Sequence, residues 1–184
     1  MSIQTKELTY EEFLKLPEIN RRYEVIDGEL IYMTPSPTPE HQRIALNLSL
    51  KLAPFIRDRH LGELFFAPLD VLITREPLRI RQPDLLFVSN QRKSIIGPQH
   101  IEGGPDLVIE ILSPANTRWN LEEKLKDYAL INVQECWLAS PEARTVEVLR
   151  FSSSRFERLG LYGMGDTITS EVLPALYLNV DEIW

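Results

Sequence analysis

Apolar positions along this chain follow two periods, and the switches between them mark out the elements. Two short runs, 84–89 and 106–112, are apolar at nearly every position, the mark of strands buried on both faces. In the second run, alternation puts Val108, Glu110 and Leu112 on one face and Leu107, Ile109 and Ile111 on the other. Helical spacing appears twice. Ile44, Ala45, Leu48, Leu52 and Phe55 predict a long helix over about 39–59, with Thr38 as its cap, Pro39 in its first turn and a kink at Pro54. Leu121, Leu125 and Tyr128 predict a second helix over about 119–131.

Turn and cap signals complete the order. Thr9-Tyr10-Glu11-Glu12 is a capping box opening a short helix to about Leu16, stopped by Pro17. Asp27-Gly28 sits between two short strands in 22–33 and predicts a hairpin. Residues 34–39, Thr-Pro-Ser-Pro-Thr-Pro, read as a loop. Further strands are expected near 63–74, 134–140, 144–151 and 155–162, before a mixed, partly apolar C-terminal tail. Helices interspersed with a strand meander predict an α/β fold, a mixed β-sheet flanked by helices, in one domain spanning 1–184. Gly103-Gly104 precedes a strand instead of following one, so neither a dinucleotide fingerprint nor a P-loop is available.

Composition narrows the class. The 184 residues are 43% hydrophobic and 26% charged, enough for one real core, and no apolar stretch is long enough to span a membrane. The first residues, Met1 to Glu7, lack a basic region and an apolar segment, so a cytoplasmic location is expected. Cys136, the single cysteine, lies in a predicted strand and reads as a small buried hydrophobe. The net charge of −7 argues against a surface coated with cations. Positive charge is local instead: Arg75, Arg79 and Arg81 between two strands, Arg92 and Lys93 after the second. These read as solvated loop ends or as a rim that tracks phosphates.

The candidate chemistry centres on Asp84 and Glu110. A carboxylate between Val108 and Leu112 is desolvated unless a cation or donor meets it. Two buried strands that each deliver an acid point to a shared divalent-metal site, and a hard cation such as Mg²⁺ prefers such oxygen ligands. Lys124 shares or borders the apolar stripe of the second helix, whereas Lys126, about 200° further round, faces away. Lys124 either approaches the carboxylates or lays its stem over apolar surface. His41, one turn before Ile44, faces inward, as a satisfied core histidine or as a contact to phosphate or water. No Ser-His-Asp grouping or nucleophilic cysteine site is evident.

Six stretches together resemble the PD-(D/E)XK nuclease superfamily and, within it, a restriction-endonuclease-like family of small bacterial proteins. They are Tyr23-Glu24-x-x-Asp27-Gly28-Glu29-Leu30, Pro39-x-His41, Pro83-Asp84, the run from Pro105 to Pro114, Lys124-x-x-x-Tyr128 and Val133-Gln134-Glu135-x-Trp137. The resemblance covers about residues 8 to 150 and implies a restriction-endonuclease-like core hydrolysing phosphodiesters with Mg²⁺, or Mn²⁺ in its place. It implies Asp84 and Glu110 as metal ligands with the Ile111 carbonyl as a third, and Glu24 as the additional acid near the metal. The superfamily's lysine two residues after the glutamate is Leu112 here, and the resemblance transfers that amine to Lys124. Asn120 stands where relatives tend to carry an aspartate, and is expected to cap the helix. The leading expectation is a DNA endonuclease. The alternatives are an inactive nuclease-like binding or scaffold domain and a hydrolase of small phosphoesters, which a closed pocket would favour. Cutting both strands of a duplex suggests a homodimer, with Leu173, Leu176, Tyr177, Leu178, Ile183 and Trp184 either joining its interface or closing the chain's own core.

Overall fold

The computed structural model describes residues 7–17, 19–33, 36–113, 118–152 and 155–184, apart from the side chains of 118 and 119. Thr34, Pro35 and Pro114 of the stretches singled out above lie outside the described residues. The first elements are α1 (Tyr10–Phe13), β1 (Tyr23–Ile26), β2 (Glu29–Tyr32) and α2 (Pro39–Asp58). The strands β3 (Gly62–Phe66), β4 (Val71–Arg75), β5 (Leu78–Arg81), β6 (Leu85–Ser89), β7 (Ile101–Glu102) and β8 (Leu107–Ile111) follow. Then come α3 (Arg118–Leu130), β9 (Glu135–Ser140), β10 (Thr145–Ser152), β11 (Arg155–Tyr162), β12 (Thr167–Ile168) and β13 (Leu178–Asn179).

Local chemistry explains the boundaries. The Thr9 side chain accepts from the Glu12 amide while Glu12 reaches back to the Thr9 amide, a complete capping box. Thr38 caps α2 through the His41 amide, with Pro39 in the first turn, where a missing N–H costs nothing. Asp27 and Gly28 take φ of 50° and 80°, the left-handed pair that a two-residue hairpin loop requires, and set Ile26 opposite Glu29. The helix α3 begins at Arg118, so Asn120 lies inside it and is not its cap.

Among the described residues the strands form two sheets and a two-stranded ribbon, where the sequence suggested one sheet. The larger runs β11-β10-β9-β8-β6-β3, with β8 parallel to β9 and antiparallel to β6. The smaller runs β2-β1-β5-β4-β7, and β12 pairs with β13. One face of the six-stranded sheet carries Leu107, Ile109, Ile111 and Trp137 against Ile44, Leu48, Leu52 and Ile56 of α2. The other carries Val108, Leu138 and Cys136 against Leu125 and Tyr128 of α3 and Val71 and Ile73 of the smaller sheet. Alternation along β8 therefore feeds two cores, the distribution its pattern predicted.

The tail closes the first of these cores. Leu173, Leu176, Leu178, Val180 and Ile183 are buried in it, and only Tyr177 among the named tail residues is strongly exposed. Glu135 holds this tail through the Ser170 hydroxyl (2.7 Å) and the Glu171 amide (2.9 Å). Of the two roles open to the tail, closing the chain's own core is the one these buried side chains take. Among the described residues, no helix is long and apolar enough to cross a membrane.

Candidate active site

Gln82, Pro83 and Asp84 carry the chain from the end of β5 in one sheet to the start of β6 in the other. Side chains from both sheets and two helices meet at this crossing. Asp84 stands at its end, with β6 paired to the Glu110-bearing β8. Four of the expected residues are buried here: Glu24, Asp84, Glu110 and Lys124. His41 reaches in from the first turn of α2.

Asp84 accepts three hydrogen bonds. Arg22 Nη1 donates to Oδ1 at 2.8 Å, while the Ile111 amide (2.8 Å) and His41 Nε2 (3.2 Å) meet Oδ2. Burial pushes this carboxyl up, but the His41 bond, the Arg22 charge and the Ile111 amide prevail and hold it below the usual range. Glu110 is met differently. Lys124 Nζ lies 3.0 and 3.2 Å from its oxygens, and the Tyr128 hydroxyl donates to Oε1. Burial dominates at Glu110 and, with the nearby charge of Asp84, keeps its carboxyl above the usual range despite Lys124. Lys124 loses by burial and gains more from Glu110 and Glu24, so it stays a cation.

Lys124 therefore points into the acids while Lys126 is exposed. The same ammonium lies 2.9 Å from Glu24 Oε1, as an ion pair off the line of a directed hydrogen bond. Glu24 Oε2 accepts from Arg81 Nη1 at 2.8 Å, and Arg81 turns its Nε to Asp127 at 2.7 Å. Burial raises Glu24, yet Lys124 and Arg81 outweigh it and its carboxyl lies below the usual range.

Arg79 and Arg81 are neither loop ends nor a free rim, which corrects that expectation for them, whereas Arg75 lies exposed at the end of β4 as expected. Arg81 is 2% exposed, and Arg79 binds Asp27, Glu123 and Asp127. Both sit on β5, whose Leu78 and Ile80 face the α1 core while the alternate guanidinium groups turn to the acids of α3. Arg75 is held by Glu102, Lys93 by Glu63, and Arg92 by main-chain carbonyls of Pro105 and Asn132. Arg22 is the site residue missing from the sequence reading. Its position beside Arg21, before β1, has no periodicity that could single it out.

Among the described residues, no three His, Cys, Asp or Glu side chains form a ready-made metal cluster. The expected ligand set has only two side chains, Asp84 and Glu110, plus a main-chain carbonyl. A surface cavity of about 450 Å³ is lined by residues such as Arg92, Asn132, Glu135 and Arg150, and includes no member of the Asp84 group. What the arrangement offers is two hard oxygen donors on paired strands, an ammonium between two acids, and a histidine and an arginine on the solvent side.

No curated protein matches the chain. A solved structure described as "a putative nuclease belonging to DUF820", from Anabaena variabilis ATCC 29413, superposes with a TM-score of 0.77 at 22% identity, covering 96% of this chain and 97% of its own. That likeness shows a shared mixed α/β fold. The family model Uma2, described as "Putative restriction endonuclease", matches residues 10–181, so the chain belongs to the Uma2 family.

Proposed function

We propose that this protein is a metal-dependent endonuclease that hydrolyses phosphodiester bonds of DNA. The observation that carries the reading is the meeting of Asp84 and Glu110 on paired strands with the Lys124 ammonium against Glu110. The donor set fits a hard divalent cation such as Mg²⁺ or Mn²⁺, which takes carboxylate and carbonyl oxygens and retains several waters. Asp84 and Glu110 would hold it. Ile111 fits as the third ligand, because its amide donates to Asp84 and a strand residue turns its carbonyl to the same side as its amide. When bound, the cation supplies Lewis-acid activation of water and neutralises charge on the scissile phosphate.

The chain's own groups do the rest. Tyr128 fixes one oxygen of Glu110 by its hydroxyl, and His41 orients Asp84 through Oδ2. Lys124 offsets the charge of Glu110 and Glu24 and is placed to donate to a phosphate oxygen as negative charge builds there. Three buried groups of opposite sign cost little reorganisation at that moment.

The test is relaxation of supercoiled plasmid DNA by purified protein with Mg²⁺ or Mn²⁺. EDTA is expected to abolish cleavage, Asp84→Asn and Glu110→Gln to remove it, and Lys124→Ala to lower it by about 10²–10³-fold. Equal metal-dependent activity in wild type and Asp84→Asn would trace cleavage to a contaminant and sink the reading. A competing reading, a nuclease-like binding domain without activity, draws on the saturation of Asp84 by Arg22, His41 and the Ile111 amide. It is selected if the wild type binds DNA but neither Mn²⁺ nor a cleavage product is detected.

A further inference from the structure

Asp84 presents its two oxygens to two kinds of partner. Oδ2 is tied to the framework by the Ile111 amide and to α2 by His41. Among the described residues Oδ1 meets only Arg22, whose other terminal nitrogen donates to the Gln82 carbonyl at 2.7 Å. Arg22 is also the most exposed member of the group, with 18% of its side chain accessible against 5% for Asp84. Its Nε is buried without a hydrogen-bond partner among the described residues, an unmet donor that carries a desolvation cost. A guanidinium at 2.8 Å on Oδ1 and a divalent ion on the same oxygen would repel strongly in so dry a place. They compete for it.

We propose that Arg22 stands in for the metal on Asp84 Oδ1 in the metal-free site and moves to a non-bridging oxygen of the scissile phosphate when a divalent ion binds. The inference rests on the endonuclease reading and adds to it a phosphate-binding residue that exchanges partners. A planar guanidinium suits both positions, since its fork of N–H groups donates equally well to carboxylate and phosphate oxygens. Attached just before β1, it lies at the accessible edge of the group, where substrate must approach. The exchange keeps Asp84 neutralised at every stage: by arginine when empty, by metal when loaded.

The experiment is calorimetric titration of Mn²⁺ into metal-free protein without DNA, beside single-turnover cleavage at saturating Mn²⁺. Arg22→Gln is expected to bind Mn²⁺ about tenfold more tightly than wild type, a change of the size that groups bonded to metal ligands produce. Its cleavage is expected to fall by about 10²–10³-fold, as for loss of a cationic clamp on phosphate. Arg22→Lys, which keeps the charge without the fork, is expected to bind Mn²⁺ like wild type and to cleave poorly, and it decides the matter if Arg22→Gln does not fold. Unchanged or weaker Mn²⁺ affinity in Arg22→Gln, or wild-type cleavage by Arg22→Lys, overturns the exchange while wild-type cleavage leaves the endonuclease reading intact. If wild type neither binds Mn²⁺ nor cleaves DNA, that reading fails first and takes this one with it.

Discussion

Lys124 is worth most as the shared cation of two buried acids from different sheets. Lys124→Met would leave Glu24 and Glu110 facing each other without it, and breaking a buried pair by removing one partner costs about 3–5 kcal/mol. Glu110 can escape part of that by taking up a proton, so the loss is expected to be smaller at pH 5 than at pH 8. Urea midpoints at the two values check this, and an equal loss at both would mean the acids do not share the lysine's charge. Helical spacing put Lys124 beside Leu121 and Tyr128 but left open whether it reached the acids, and the acids stood out because they interrupt apolar strands. Arg22 and the role of Arg81 were not legible. Their partners, Asp84, Glu24 and Asp127, lie between 46 and 62 residues away in sequence, and nothing local to an arginine reports them.

At the level of elements, β1 and β8 each bring one carboxylate to the crossing, and the two titrate in opposite senses. Glu24 is held below 4.5, so it binds fewer protons folded than unfolded and stabilises above that range, an effect lost as pH falls through its lowered value. Glu110 is held above 4.5, so the folded state binds more protons and its contribution worsens as pH rises through the raised value. In metal-free protein Glu24→Gln is therefore expected to destabilise at pH 7 and Glu110→Gln to stabilise, both differences shrinking toward pH 3. Denaturation across that range checks it; the same sign for both at pH 7 would refute the assignment of charges. Caps and the hairpin were readable because Thr9, Thr38 and Asp27-Gly28 act on their own neighbours. Membership of a sheet was not. Three residues separate β5 from β6, and they belong to different sheets.

For the whole molecule, the pattern announced an α/β fold with a mixed sheet flanked by helices correctly, while the destination of the tail stayed open because Leu176 and Ile183 would serve an interface or a core equally well. The structure spends them on the core against α2. Ile183→Ala is expected to cost about 2–5 kcal/mol, the usual effect of emptying a buried aliphatic site, read from the melting curve. A loss below 1 kcal/mol would show that the tail can leave without consequence. The same dependence bears on synthesis. Every candidate site residue, from Arg22 to Lys124, leaves the ribosome before residues 172–184, which complete the core under β8. Domains fold as units during translation. A nascent chain stalled at Ser170 should therefore be readily digested by protease, and a chain extended past Trp184 by a ribosome-spanning linker should resist it. A cell making this protein would then carry the acids and lysine of the site in an unassembled form until the tail emerges.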